Sequence, residues 1–244
     1  MKLNKLIAIA TISLLSGGIS MAQKALNLED IVAGNIIQTK GIGSMTWLKD
    51  GERYSRLENN KQTGGTDIVA YRAKDNSREV IIPSSLLTDK STGRPIPVRS
   101  VSWSADNEKI LIYNNTRRVW RYDTRGDYWV LNLKDGALRQ LGKGMPESSM
   151  MFAKFSPDGT RVAYVSNNNI YVEDIDSGKI TQLTKDGSDT IVNGTFDWVY
   201  EEEFSCRDGF RWSPDGKHIA YWQSDTKGTG VFDIINNVEH SRSF

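Results

Sequence analysis

The chain carries the stretch Ala153-Lys154-Phe155-Ser156-Pro157-Asp158-Gly159-Thr160-Arg161-Val162, in which an aromatic residue precedes a turn and the start of a β-strand. Proline presets φ for the turn, and glycine supplies the positive φ that ends it. The pattern occurs four times, with its aromatic residue at positions 47, 103, 155 and 212, in steps of 56, 52 and 57 residues. Such regular spacing indicates a repeat architecture.

Each repeat also contains short apolar runs separated by turn residues. The sequence predicts paired strands at 67–73 and 78–82, at 128–133 and 138–141, and at 162–165, 170–172 and 180–183. Together with the strand that precedes each Ser-Pro-Asp-Gly-type turn, this gives four antiparallel strands per period of about 50 residues, as in a β-propeller blade. A β-sandwich is the alternative all-β architecture, but it does not explain a turn motif that repeats at blade length.

The predicted fold is therefore all-β, with a partial propeller of about four blades over residues 46–244 and a separate N-terminal segment at 23–45. Long helical periodicity is absent between about 45 and 190. The net charge is +1, with basic and acidic residues interspersed, so neither nucleic acid nor an anionic membrane is indicated as a partner.

The N-terminus is typical of a secretory signal peptide. Lys2 and Lys5 are followed by an apolar run from Leu6 to Leu15, and Ser20-Met21-Ala22 supplies small residues for cleavage. We therefore expect residues 1–22 to be removed and the protein to be secreted across an inner membrane, into a periplasm or envelope.

A second feature is the acidic stretch Asp197-Trp198-Val199-Tyr200-Glu201-Glu202-Glu203-Phe204. Asp197 is a suitable helix N-cap, and neighbouring helical residues lie about 100° apart, so two adjacent glutamates can converge on one cation. The alternatives are a solvated acidic helix start and a metal site formed with Asp197. No histidine near the stretch supports a metal site, so we predict neither a metal nor a cofactor.

The acidic stretch, preceded by Asn193-Gly194-Thr195-Phe196 and followed by Trp212-Ser213-Pro214-Asp215-Gly216, resembles the propeller of the dipeptidyl peptidase IV family in the prolyl oligopeptidase clan. The Asp-Trp-Val-Tyr-Glu-Glu-Glu string is the specific part of this resemblance. The similarity extends over about residues 25 to 235 and includes the order of the repeats.

The resemblance implies an eight-bladed propeller covering a C-terminal α/β-hydrolase domain, in a serine exopeptidase that releases Xaa-Pro or Xaa-Ala dipeptides. A short helix in such propellers carries two glutamates that bind the substrate's α-ammonium, and these match Glu202 and Glu203. An arginine that orients the glutamates matches Arg121, which follows Trp120. The implied partners are a peptide with a free N-terminus, the hydrolase domain and a second copy in the full-length protein.

The sequence departs from the family in one important respect. No Gly-x-Ser-x-Gly string occurs, and His218 and His240 are the only histidines, so the chain lacks a defensible catalytic triad. We expect a propeller portion of about four blades of the eight, without the hydrolase domain, that is inactive alone. The alternative is a periplasmic propeller that binds or scaffolds without catalysis. Cys206, the single cysteine, is expected to be a packing residue.

Overall fold

The computed structural model describes residues 27–32, 41, 43–231, 234–236 and 241–243. Residues 1–42 and 43–244 form two separate units. In the first unit a short helix runs over Leu28–Val32. The predicted signal peptide and His240 lie outside the described residues. No described helix is long and apolar enough to span a membrane.

The first four strands of the second unit form one antiparallel sheet in chain order. They are β1 (Thr46–Trp47), β2 (Arg53–Asn59), β3 (Thr66–Arg72) and β4 (Arg78–Ile82). Tyr54 pairs with Tyr71 across β2 and β3, and their rings stack with centroids 5.6 Å apart. This sheet is the first blade that the repeat predicts.

A connection leads from the first sheet to the second. It consists of a 3₁₀ turn (Ser84–Leu87) and the short pair β5 (Thr88–Asp89) and β6 (Arg94–Pro95). The second sheet comprises β7 (Ser100–Trp103), β8 (Lys109–Arg118), β9 (Asp123–Asn132) and β10 (Leu138–Gln140). Strands β8 and β9 are ten residues each, longer than the other strands described, and their hairpin extends beyond the sheet. The tip of this hairpin carries Arg121.

The third sheet is again four-stranded and antiparallel. It contains β11 (Met151–Phe155), β12 (Arg161–Ser166), β13 (Asn169–Asp174) and β14 (Ile180–Gln182). Asn167 and Asn168 connect β12 to β13 with φ values of 47° and 58°. Two consecutive positive φ values give the hairpin turn that matches strand twist, and asparagine tolerates them better than most residues.

The fourth repeat departs from the predicted four-stranded blade. Its described strands are β15 (Ile191–Asn193), β16 (Phe210–Trp212), β17 (Ile219–Tyr221), β18 (Gln223–Asp225), β19 (Ile234–Asn236) and β20 (Ser241–Ser243). They form three two-stranded sheets, in which β15 pairs with β18, β16 with β17 and β19 with β20. Between β15 and β16 the chain leaves the sheet to form a helix, which interrupts the regular order of strands.

The repeated turns have the geometry that the sequence predicts. Gly51, Asn107, Gly159 and Gly216 occupy one equivalent position with φ between 60° and 69°. In the third turn the Ser156 hydroxyl donates to Asp158 and accepts from the Arg161 backbone N–H. Hydrogen bonding to the aspartate carboxylate stabilises its charged form, and the pKa of Asp158 is lowered to about 2.

The apolar core lies between successive sheets. In β8, Ile110 and Ile112 pack with Ile68 toward the first sheet, whereas Leu111 packs with Val162 toward the third. Side chains of a strand alternate between its two faces, so a strand buried on both faces contributes to two cores. Blades packed face to face require this arrangement, and it confirms a partial β-propeller over a single sandwich.

Candidate functional site

The acidic stretch forms a helix that stands on a short two-stranded stem. The helix, here called the Glu helix, spans Trp198–Phe204. Below it, Phe196 N–H donates to the Arg207 carbonyl (2.9 Å), and Gly209 N–H donates to the Gly194 carbonyl (3.1 Å). A Cβ on Gly209 would lie 2.9 Å from backbone atoms of Gly194 and Thr195, so the stem closes only with glycine there.

Both ends of the Glu helix are capped. The Asp197 carboxylate accepts from Tyr200 N–H (3.2 Å), which confirms the predicted N-cap. At the other end Ser205 has a φ of 50°, and Cys206 N–H donates to the Tyr200 carbonyl (3.1 Å). The rings of Phe196 and Tyr200 stack at 4.6 Å, which attaches one side of the helix to its stem. Cys206 is a free, half-buried thiol in this segment.

The three glutamates of the Glu helix have different environments. Glu201 is buried, with 2% of its surface exposed, whereas the Glu202 side chain is 11% exposed and Glu203 is exposed. Within the described residues the Glu203 side chain makes no hydrogen bond or ion pair. Neighbouring helical positions point about 100° apart, so consecutive identical residues can face the interior, the edge and solvent.

Arg121 reaches the Glu helix from the β8–β9 hairpin. Its Nε donates to Oε1 of Glu202 (2.6 Å), and a second guanidinium nitrogen contacts Oε2 of the same carboxylate. This bidentate pair orients the Glu202 carboxylate, and hydrogen bonding to Glu202 raises the pKa of Arg121 further above its ordinary value. The structure therefore brings Arg121 and Glu202 together, 81 residues apart in the chain.

Glu201, on the buried side of the Glu helix, also connects this helix to the β8–β9 hairpin. Its Oε1 accepts the Arg121 backbone N–H (3.0 Å), and its Oε2 lies 3.4 Å from the Arg207 guanidinium. Arg207 also donates to the Thr195 hydroxyl (3.4 Å), and its Cζ lies 4.0 Å from the centroid of the Trp120 ring. Burial of this guanidinium lowers the pKa of Arg207.

Sequence reasoning missed Arg207 and treated Glu201 only as a neighbour of the pair. The only signal for Arg207 is a basic residue six positions after a glutamate. That spacing does not place two residues on one helix face, because the helix ends at Phe204 and the chain then turns back. The contact depends on the stem, which no local pattern predicts.

The charges of this site favour a cation. Glu201, Glu202 and Glu203 carry three negative charges, and Arg121 and Arg207 carry two positive ones, which leaves one negative charge. The Glu202 carboxylate retains lone pairs that Arg121 does not use, and the Glu203 carboxylate has all of its own. Two such carboxylates on adjacent residues can accept the three N–H donors of an ammonium group.

The remaining sequence-based candidates in the described part of the chain are a metal site and His218. There, no group of three or more histidine, cysteine, aspartate and glutamate side chains is placed to hold a metal ion. His218 is exposed next to β17, and its backbone N–H donates to Ser213 Oγ (2.9 Å).

Comparison with known proteins gives one consistent result. Residues 104–243 match the model of the dipeptidyl peptidase IV (DPP IV) N-terminal region. A protein named probable dipeptidyl-aminopeptidase B from Chaetomium globosum is 35% identical over 135 residues, covering 55% of this chain and 15% of the relative. A protein of the same name from Aspergillus terreus is 28% identical over 220 residues, covering 86% of this chain and 24% of the relative.

A solved structure agrees with these relatives. The crystal structure of Porphyromonas gingivalis dipeptidyl peptidase 4 superposes with a TM-score of 0.72 at 25% identity, over 90% of this chain and 30% of that one. The chain thus spans between about a seventh and a third of the length of these similar proteins.

Proposed function

Because the chain belongs to the dipeptidyl peptidase IV N-terminal region family, we propose that it is the substrate-anchoring propeller portion of a serine exopeptidase. The enzyme would release Xaa-Pro or Xaa-Ala dipeptides from peptide N-termini. Similar proteins are named dipeptidyl-aminopeptidase or dipeptidyl peptidase, which supports peptide hydrolysis as the activity of the whole protein. The hydrolytic step would belong to an α/β-hydrolase domain, which supplies the serine nucleophile and its base.

The observation that carries this proposal is the bidentate pair between Arg121 and Glu202 beside the exposed Glu203. Arg121 fixes the Glu202 carboxylate, and the α-ammonium of a peptide binds between Glu202 and Glu203 by charge-assisted hydrogen bonds. Holding the amine at a fixed point sets which peptide bond reaches the nucleophile, so the clamp measures two residues from the N-terminus. We name Glu202, Glu203 and Arg121 the ammonium clamp.

Charge-neutral variants of the clamp test this proposal. The peptide Gly-Pro-Ala with a free amine is titrated into the chain carrying Glu202→Gln or Glu203→Gln. We expect affinity to fall about tenfold or more for Glu202→Gln, since a hydrogen bond to a charged group contributes about 1.5–3 kcal/mol. A smaller loss, about threefold, is expected for the exposed Glu203→Gln.

Glu52→Gln is the matched control, because Glu52 is an exposed glutamate in the turn before β2, with an ion pair to Arg72. Affinity equal to that of the unmodified chain is expected for this variant. If all three variants bind alike, the ammonium clamp is not the peptide site.

A propeller that binds peptides without any hydrolase differs from this proposal in one measurable respect. Both would bind a free amine, but only a peptidase turns over Gly-Pro p-nitroanilide when the hydrolase domain is present. The product of the complete gene is therefore assayed, with the 244-residue chain beside it. Release of p-nitroaniline by the former supports the exopeptidase, and its absence supports the binding module.

We also propose export to a periplasm or envelope, from the signal-like residues 1–22. N-terminal sequencing of protein recovered from the envelope fraction tests this. A mature start near Gln23 is expected, and an intact Met1 in the cytoplasmic fraction would contradict it.

A further inference from the structure

The strand pairing of the β8–β9 hairpin is irregular near its tip. The pairing of β8 and β9 shifts register between Asn114 and Arg117 and again between Arg117 and Arg118. Beyond these shifts, Val119 N–H donates to the Tyr122 carbonyl at 3.1 Å, and Arg118 Nε donates to the Trp120 carbonyl at 2.9 Å. A strand pairing that is interrupted twice allows the tip to bend and twist relative to the sheet. The position of Arg121 therefore depends also on contacts outside the hairpin.

The pair between Arg121 and Glu202 is a weak anchor for this tip. The Arg121 side chain is 67% exposed, and ion pairs with a solvated partner contribute about 0–1 kcal/mol. Such a pair orients two side chains once they are close together. It does not hold a hairpin of two ten-residue strands against a helix.

The stronger anchor lies beneath the clamp, at Arg207 and Glu201. Their side chains are 9% and 1% exposed, respectively, so each needs the other to remain charged in the interior. Glu201 accepts the backbone N–H of Arg121, and Arg207 stacks on Trp120. Two consecutive residues of the hairpin tip are thus held by one buried ion pair from the Glu helix and its stem.

We propose that Arg207 is a positioning residue of the ammonium clamp. By pairing with the Glu201 carboxylate and stacking on Trp120, Arg207 holds the hairpin tip at the position where Arg121 contacts Glu202. This inference rests on the proposed function only in assuming that the clamp binds an ammonium group. The position of the tip can be measured without any peptide.

Arginine suits this position better than lysine. The planar guanidinium stacks on an indole ring while its N–H groups reach Glu201 and Thr195, and an ammonium cannot do both. Arg207→Lys therefore keeps the positive charge but loses the planar guanidinium that stacks on the indole ring. Arg207→Met keeps most of the aliphatic part of the side chain and leaves Glu201 without its cationic partner.

Hydrogen exchange at the Arg121 amide measures the proposed role directly, because this N–H donates to the buried Glu201 carboxylate. In the 244-residue chain we expect Arg207→Met to accelerate exchange of that amide about tenfold or more, and Arg207→Lys to accelerate it about threefold. Arg211→Met is the matched control, since Arg211 lies four residues further on with a 64% exposed side chain, and no change is expected.

The melting temperature of each variant separates local opening from global unfolding. If Arg207→Met unfolds the whole chain, Arg207→Lys decides the question, because it keeps the charge that Glu201 needs. Exchange in Arg207→Lys equal to that of the unmodified chain would overturn the inference.

Peptide affinity tests whether the position of the hairpin tip affects binding at the clamp. We expect Arg207→Met to weaken binding of free-amine Gly-Pro-Ala about tenfold and to leave any binding of its N-acetylated form unchanged. Faster exchange with unchanged affinity would overturn the role of Arg207 in the clamp. Failure of the unmodified chain to bind the peptide would instead count against the proposed function, and the exchange result would still decide whether Arg207 positions the tip.

Discussion

The three consecutive glutamates make different contacts because each side chain points in a different direction from the Glu helix. Glu201 points inward and ties the helix to the hairpin, Glu202 pairs with Arg121, and Glu203 faces solvent. The sequence predicted the N-cap at Asp197 and paired carboxylates. It did not predict that Glu201 is buried, since burial depends on a hairpin 80 residues earlier in the chain.

An ion pair between the second and third sheets gives a stability prediction at residue scale, because its carboxylate is buried while its arginine side chain is 36% exposed. The Glu173 side chain is fully buried, and its carboxylate accepts from Arg139 (2.7 Å) and from the Gly142 backbone N–H (2.8 Å). Removal of one partner leaves an uncompensated charge in the interior, which costs about 3–5 kcal/mol. We expect Arg139→Met to lower the free energy of unfolding by about that amount in urea titrations.

The control for this prediction is Arg72→Met, because Arg72 pairs with Glu52 at the surface, where the two side chains are 47% and 71% exposed. Its effect should stay within about 1 kcal/mol. Equal effects of the two substitutions would show that burial of Glu173 does not determine the cost.

At the scale of elements, the stem of the Glu helix depends on close approach of two backbone segments. A Cβ at Gly209 would lie 2.9 Å from backbone atoms of Gly194 and Thr195. We expect Gly209→Ala to separate the two segments and to accelerate exchange at the amides of Phe196 and of residue 209, which donate to the Arg207 and Gly194 carbonyls. Gly230→Ala is the control, because no atom lies within 4 Å of a Cβ there. Unchanged exchange in Gly209→Ala would contradict a stem set by that glycine.

The repeated turns predict how stability depends on pH. The pKa values of Asp50 and Asp158 are each lowered to about 2 by hydrogen bonds to their carboxylates, from 3.8 in the unfolded chain. A lowered pKa contributes stability that is present above about pH 4 and is lost as pH falls toward 2. Unfolding free energy measured between pH 5 and 2 should therefore fall steadily with acidification.

Asp158→Asn tests which group is responsible, because an amide still accepts hydrogen bonds from the turn but does not titrate. We expect this variant to show a shallower fall in stability between pH 4 and 2. A fall as steep as that of the unmodified chain would assign the acid sensitivity to other carboxylates.

At the scale of the whole molecule, the repeat pattern predicted most of the described fold. Turn residues recur once per blade, and alternation along β8 or β12 places apolar side chains on both faces, so three four-stranded sheets follow. The fourth repeat could not be predicted in this way. There the Glu helix and its stem interrupt the strands, and β15 pairs with β18 around the insertion.

The ammonium clamp is proposed to bind a free α-ammonium. The most direct test is calorimetric titration of the unmodified chain with Gly-Pro-Ala and with its N-acetylated form. We predict measurable binding of the free-amine peptide and a loss of at least tenfold on acetylation, because the acetylated nitrogen carries neither the charge nor the three donors that Glu202 and Glu203 accept. Equal affinity for the two peptides would contradict the ammonium clamp.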